Sequence, residues 1–129
     1  MADRSTGERA RTAFQQHEWP EAYEAYSLLA QQVDVTPEDL ERLGESAWWS
    51  AHPAESIEAF EHAYAAHEAA GHERSAAMVA LRLAMEHADR LETARCNAWV
   101  QRAVSSRSAC SIASRSATIA ADRSCPAAS

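Results

Sequence analysis

The chain has 129 residues, 47% of them apolar and 24% charged, a balance that fits one globular domain and excludes a disordered polymer. Its formal net charge is −7 and all 12 basic residues are arginine, so it lacks the basic face that direct binding of nucleic acid requires. No apolar run reaches the roughly 18 residues of a membrane span and no signal peptide opens the chain, which makes the cytoplasm the expected compartment.

Only 3 Gly and 4 Pro occur, β-branched residues are sparse and alanine is abundant, so the predicted fold class is all-α. The first helix is expected to start near Ser5, where Glu8 three residues on completes a capping-box pattern, and to stop before Pro20. A second starts at Pro20, a residue suited to a first helical position, and its apolar Ala22, Tyr26, Leu29 and Val33 recur at helical steps. The third has the clearest start, with Thr36 as cap, Pro37 in the first turn, and Glu38 and Asp39 at the positive end of the dipole. His52-Pro53 interrupts it.

A fourth helix then runs to Gly71, with Ile57, Phe60, Tyr64 and His67 on one side and Ala59, Ala63, Ala66 and Ala70 on another. Gly71 reads as its left-handed stop. The fifth, "HERSAAMVALRLAMEHADR", is apolar around much of its circumference and is expected to be well buried. A sixth covers about Glu92 to Ala103 with Ala94, Ala98, Trp99 and Val100.

Beyond Ala103 the character changes. Residues 104–129 hold 8 Ser, 7 Ala, 3 Arg and one Asp, which leaves 9 arginines against 18 acids, or −9, in residues 1–103. This Ser/Ala/Arg tail reads either as a disordered, low-complexity terminus or as a segment translated out of frame from GC-rich DNA. The domain organisation is thus a helical domain over 5–103 followed by the tail at 104–129.

No constellation carries catalytic chemistry, and the chain is read as non-enzymatic. His62, His67 and His72 stand five apart, which is not the spacing that puts two metal ligands on one helical face, so no metal is expected. The carboxylates Asp39, Glu41 and Glu45 are explained by a helix start. Cys96, near His87, lies on an apolar helix without an orienting motif and reads as a buried thiol. With Cys110 and Cys125 the cysteine count is odd and the spacings wide, so neither a disulfide framework nor a zinc site is indicated. No glycine-rich phosphate loop, dinucleotide fingerprint or nucleophile elbow is present, and no cofactor is expected.

Internal repetition is more informative. A shift of 34 residues lays "EAYEAY" (21–26) over "ESIEAF" (55–60), and 34 is the tetratricopeptide period. With Ser56 at the small position of a second helix, Leu40, Leu43 and Gly44 fall on the W-x-x-L-G positions of that repeat, and Phe60 on the large aromatic one. Leucine stands for the tryptophan and Ala47 for the tyrosine. In the first repeat Ala10 and Ala13 stand where Gly and Tyr are usual. The chain thus resembles a tetratricopeptide-like α-solenoid of about three antiparallel hairpins.

Residues 10–103 resemble, more specifically, the helical-repeat region of actinobacterial LuxR-family transcriptional regulators. The blocks that carry this are "AFQQHEWPEAYEAYSLL", "TPEDLERLGESAWWSAHPAESIEAFEHAYAAHEAAG" and "AAMVALRLAMEH…NAWVQRA". Similar segments accompany class III adenylate/guanylate cyclases. The family usually has a glycine at the turn where this chain has "AHP", and a leucine-rich end where this chain has the tail. The resemblance implies a non-catalytic interaction or regulatory module, with a protein or peptide partner or a missing C-terminal domain. The alternatives are a regulatory segment of a nucleotide cyclase and a truncated gene fragment.

It also implies that the first helix of each hairpin lines a concave face. Trp48 and Trp49 fall at the end of such a helix, where they serve either as core or as part of a groove. The candidate partner-binding residues are Arg11, Phe14, Glu41, Glu45 and Trp48, with Trp48 expected to face solvent.

Overall fold

In the computed structural model, which describes residues 2–105, the chain is all-helical, and among these residues no strand occurs. The helices are α1 (Ala2–Gln15), α2 (Trp19–Leu29), α3 (Pro37–Trp49), α4 (Pro53–Ala69), α5 (Glu73–Asp89) and α6 (residues 93–105). Each of α1 to α5 packs chiefly on its neighbour in sequence.

Three expectations about helix ends need correction. α1 begins at Ala2, so Ser5 lies inside the helix rather than capping it. Ala2, Asp3 and Arg4 contain nothing that opposes helix, and the helix runs through them. α2 ends at Leu29, and Val33, expected on its apolar face, sits in the following loop fully exposed. α6 runs two residues past the expected boundary at 103, and the rest of the Ser/Ala/Arg tail, 106–129, lies outside the described residues.

The start of α3 forms as its sequence demands. Pro37 forces Thr36 into extended backbone (φ −87°, ψ 154°), and the Asp39 amide donates to Thr36 Oγ1 at 3.1 Å.

Four of the five connections use one and the same turn. The amides of Glu18, His52, His72 and Glu92 donate back to the carbonyls of Ala13, Ala47, His67 and His87 at 2.8–2.9 Å. The residue before each of these donors is left-handed: His17 (φ 58°), Ala51 (62°), Gly71 (77°) and Leu91 (58°). This is the Schellman stop, in which two backbone hydrogen bonds satisfy carbonyls at the end of the helix. Each donor is also the first residue of the next start, so the helix reverses within three residues. Only Gly71 adopts this conformation free of strain; the other three each store about 1–2 kcal/mol. The "AHP" turn therefore keeps the usual geometry without the usual glycine.

The core has two parts. Ala10, Ala13, Ala22, Ala25, Tyr26 and Leu29 join α1 to α2. The larger part runs from Leu40 and Ile57 through Phe60 and Tyr64 to Leu83 and Trp99, bringing in α6 through Trp99 and Ala103. Ala94 and Ala98, also expected on the packed side of α6, are exposed; the buried row is Cys96, Trp99 and Ala103. No helix among the described residues is long and apolar enough to cross a membrane.

Candidate functional site

The join between α3 and α4 sets the geometry. A Cβ placed on Gly44 would stand 2.7–2.8 Å from three ring atoms of Phe60, so only glycine lets these helices approach so closely. Ser56, fully buried, donates to the Gly44 carbonyl at 2.8 Å and also lies 3.2 and 3.3 Å from the Glu86 carboxyl oxygens. Burial pushes the Glu86 carboxyl above its usual range, although the Arg82 charge and the Ser56 hydroxyl pull it back. A hydroxyl has one proton, so Ser56 shares it between the Gly44 carbonyl and the Glu86 carboxyl.

From Glu86 a chain of polar contacts leads outward. Arg82 Nε donates to Glu86 at 3.1 Å, one of its terminal nitrogens donates to Glu45 at 2.8 Å, and Trp49 Nε1 donates to the other Glu45 oxygen at 2.9 Å. The Arg82 guanidinium also lies 5.1 Å above the Phe60 ring. Buried Glu86 is thereby connected to an exposed tryptophan on a groove wall.

The groove encloses about 1080 Å³. One wall is aromatic and is built by the α1–α2 turn and the end of α3: Phe14, His17, Trp19 and Trp49. Trp19 stacks between its neighbours, with ring centroids 5.1 Å from His17 and 6.1 Å from Trp49, and Phe14 meets it edge-on at 5.4 Å. The opposite wall is α5, with Met78, Leu81 and Met85, and Phe60 contributes to the lining. Trp49, Met78 and Met85 remain 57%, 62% and 65% exposed although they are large and apolar.

Of the expected partner-binding residues, Phe14, Glu41 and Glu45 line this groove. Arg11 does not; it lines a separate depression with Gly7, Asp34 and Asp39. Trp48 is not in the groove either, and the expectation that it faces solvent is corrected: Trp48 is partly buried and Trp49 is the exposed one. Helical rows explain this. Steps of four carry Leu40 and Gly44, both buried, to Trp48, and Glu41 and Glu45 to Trp49 along the groove. Glu41 and Glu45 thus share their row with Trp49, one residue on from the expected Trp48.

Sequence reasoning also missed Trp19, Met78, Arg82 and Met85. The signal for α5 was present, because a helix apolar around much of its circumference has two apolar faces. Ala76, Ala80 and Leu83 lie on the core side, Met78 and Met85 on the groove side, and Val79 and Leu81 at the border contribute to both.

Glu41 has a second role. Its carboxylate lies 2.7 Å from His67 Nε2, and His67 Nδ1 stands 3.4 Å from His72 Nδ1. His67 is buried, and it packs at the helix stop where its own carbonyl receives the His72 amide. His62 is exposed and apart from this pair. His87 is 2% exposed with neither ring nitrogen hydrogen-bonded, and the Glu92 carboxylate stands 3.7 Å from Nδ1. Cys96 is a partly buried thiol against the core. Among the described residues no group of three His, Cys, Asp or Glu side chains is placed to hold a metal ion.

Comparison with known protein families, with curated proteins and with solved structures finds no match to this chain.

Proposed function

We propose that the chain is a non-catalytic interaction module that docks a segment of another protein in the groove between the aromatic wall and α5. The observation that carries this is the exposure of Trp49, Met78 and Met85 toward one shared space of about 1080 Å³. Large apolar side chains gathered on one exposed surface mark a contact site, whereas scattered ones carry no such meaning. Methionine adds a side chain that reshapes itself to its partner, and tryptophan a rigid anchor.

On this reading the helices form a tetratricopeptide-like solenoid, with α1, α3 and α5 turned toward the occupant. The likeness of residues 10–103 to the helical-repeat region of LuxR-type transcriptional regulators supports a regulatory role in the cytoplasm. There the docked segment would report the state of a partner or of a DNA-binding domain.

The test is co-purification of a partner with the wild-type chain, with a Trp49→Ser/Met85→Ser variant, and with Leu91→Ser. Leu91 is 88% exposed and outside the groove, so it serves as the control. A partner retained by wild type and Leu91→Ser but lost by the groove variant supports the proposal. A partner held equally by all three removes it.

A further inference from the structure

We infer that the segment this groove accepts is an amphipathic helix whose apolar face is flanked by basic residues. This rests on the docking proposal above and specifies the chemistry of its partner.

The shape argues for a helix. The aromatic side chains and the α5 row line one groove of about 1080 Å³, room for about three or four large side chains, the number one helical face presents over two turns. On α5 itself, Met78, Leu81 and Met85 lie along one row at steps of three and four, so a helix laid alongside meets a ridge of matching period.

Charge decides which helix. Both arginines that line the groove are already shared with carboxylates: Arg42 with Asp39 at 3.4 Å, and Arg82 with Glu45 at 2.8 Å and Glu86 at 3.1 Å. Glu41 and Glu45 are engaged too, with His67 at 2.7 Å and with Arg82 and Trp49 at 2.8 and 2.9 Å, so pairing inside the groove is balanced and the surrounding charge decides. Carboxylates on the same helix are more numerous. Glu38, Glu41 and Glu45 follow one another along α3 at steps of three and four, and Glu38 is exposed while the side chains of Glu41 and Glu45 are 38% and 30% exposed. Residues 1–103 as a whole carry −9. The acidic row that continues to Glu38 beside the groove and the field of the whole domain both favour lysine or arginine on the flanks of the incoming helix.

The experiment uses two fluorescein-labelled synthetic helices of about 18 residues with an identical Leu/Trp face, one with lysine on its flanks and one with glutamate. Anisotropy is read against the full chain at about 50 mM and about 300 mM salt. The expected result is binding of the lysine helix at least about tenfold tighter than the glutamate helix at low salt, with the gap narrowing at high salt. A Met78→Ser/Met85→Ser variant, changed only at exposed positions, is expected to weaken the lysine helix by about tenfold, and Leu91→Ser to leave it unchanged.

Equal or tighter binding of the glutamate helix overturns the charge assignment and leaves docking in place. Binding of neither helix, or binding indifferent to Met78 and Met85, overturns the docking proposal itself. A chain that sediments as a dimer without peptide, and as a monomer in the Met78→Ser/Met85→Ser variant, assigns the groove to a second copy and overturns the basic-helix occupant.

Discussion

Gly44→Ala separates the packing account of this fold from a propensity account. Gly44 lies in the interior of α3, where alanine in place of glycine would by itself stabilise the helix by about 1 kcal/mol. The added Cβ would, however, stand 2.7–2.8 Å from three atoms of the Phe60 ring, and Phe60 is 4% exposed in the core. The ring is wedged between α3 and the core and borders open space only on its groove side, so either it turns out of its packed position toward the groove or α3 and α4 part. Overpacking of this kind costs about 1–3 kcal/mol, and here it sits at the upper end because three ring atoms are met at once. Parting the helices also stretches the 2.8 Å bond from Ser56 to the Gly44 carbonyl, worth about 1 kcal/mol. The balance is a loss of about 2 to 3 kcal/mol, or a fall in Tm of roughly 10 °C or more for a domain of this size. Urea unfolding followed by circular dichroism reads it. Gly44→Ala/Phe60→Leu, which removes the colliding ring atoms, should cost less than the two single changes added together. A Gly44→Ala chain as stable as wild type, or more so, would refute the close approach as the constraint at this position.

Three further outcomes are expected. Ala51→Gly should raise stability by about 0.5–1 kcal/mol in the same assay, because left-handed strain is relieved at an exposed turn while some unfolded-state entropy is gained; a loss would contradict the strain assigned to φ 62°. Burial raises the folded-state pKa of Glu86 above its ordinary 4.5, so its contribution to stability is fully present below pH 4.5 and is lost as pH rises through the raised value. Glu86→Gln should therefore compare better with wild type at pH 7 than at pH 4, and a difference independent of pH would show that Glu86 does not titrate abnormally. Trp48→Ala should destabilise more than Trp49→Ala, since Trp48 is the less exposed of the two; thermal melts giving the reverse order would return Trp48 to the solvent side.

The sequence read well wherever a local rule governs. Thr36-Pro37 marks the start of α3 because the cap and the proline act within one turn, and Gly71 marks the end of α4 because only glycine enters that conformation freely. The register that put Gly44 and Phe60 on matching positions was also visible, and they meet in the structure. The other left-handed stops escaped notice because His17, Ala51 and Leu91 carry no local mark of a turn. They adopt it because the helices on either side gain more by packing than the strained residue loses.

What the sequence alone determined, then, is the all-α class, most helix spans and the inward faces of α2, α4 and α5, all of which follow from periodicity and capping within a few residues. Tertiary structure decided which outward faces meet one another. Trp49 and Met85 are 36 residues apart, and no local rule relates them; they face the same groove because the Gly44–Phe60 contact draws α3 onto α4 and a tight stop then turns α5 back beside them. The choice between two adjacent tryptophans depended on one helical step of about 100°, a difference that becomes meaningful only when the row through Leu40 and Gly44 is seen to have a core beneath it.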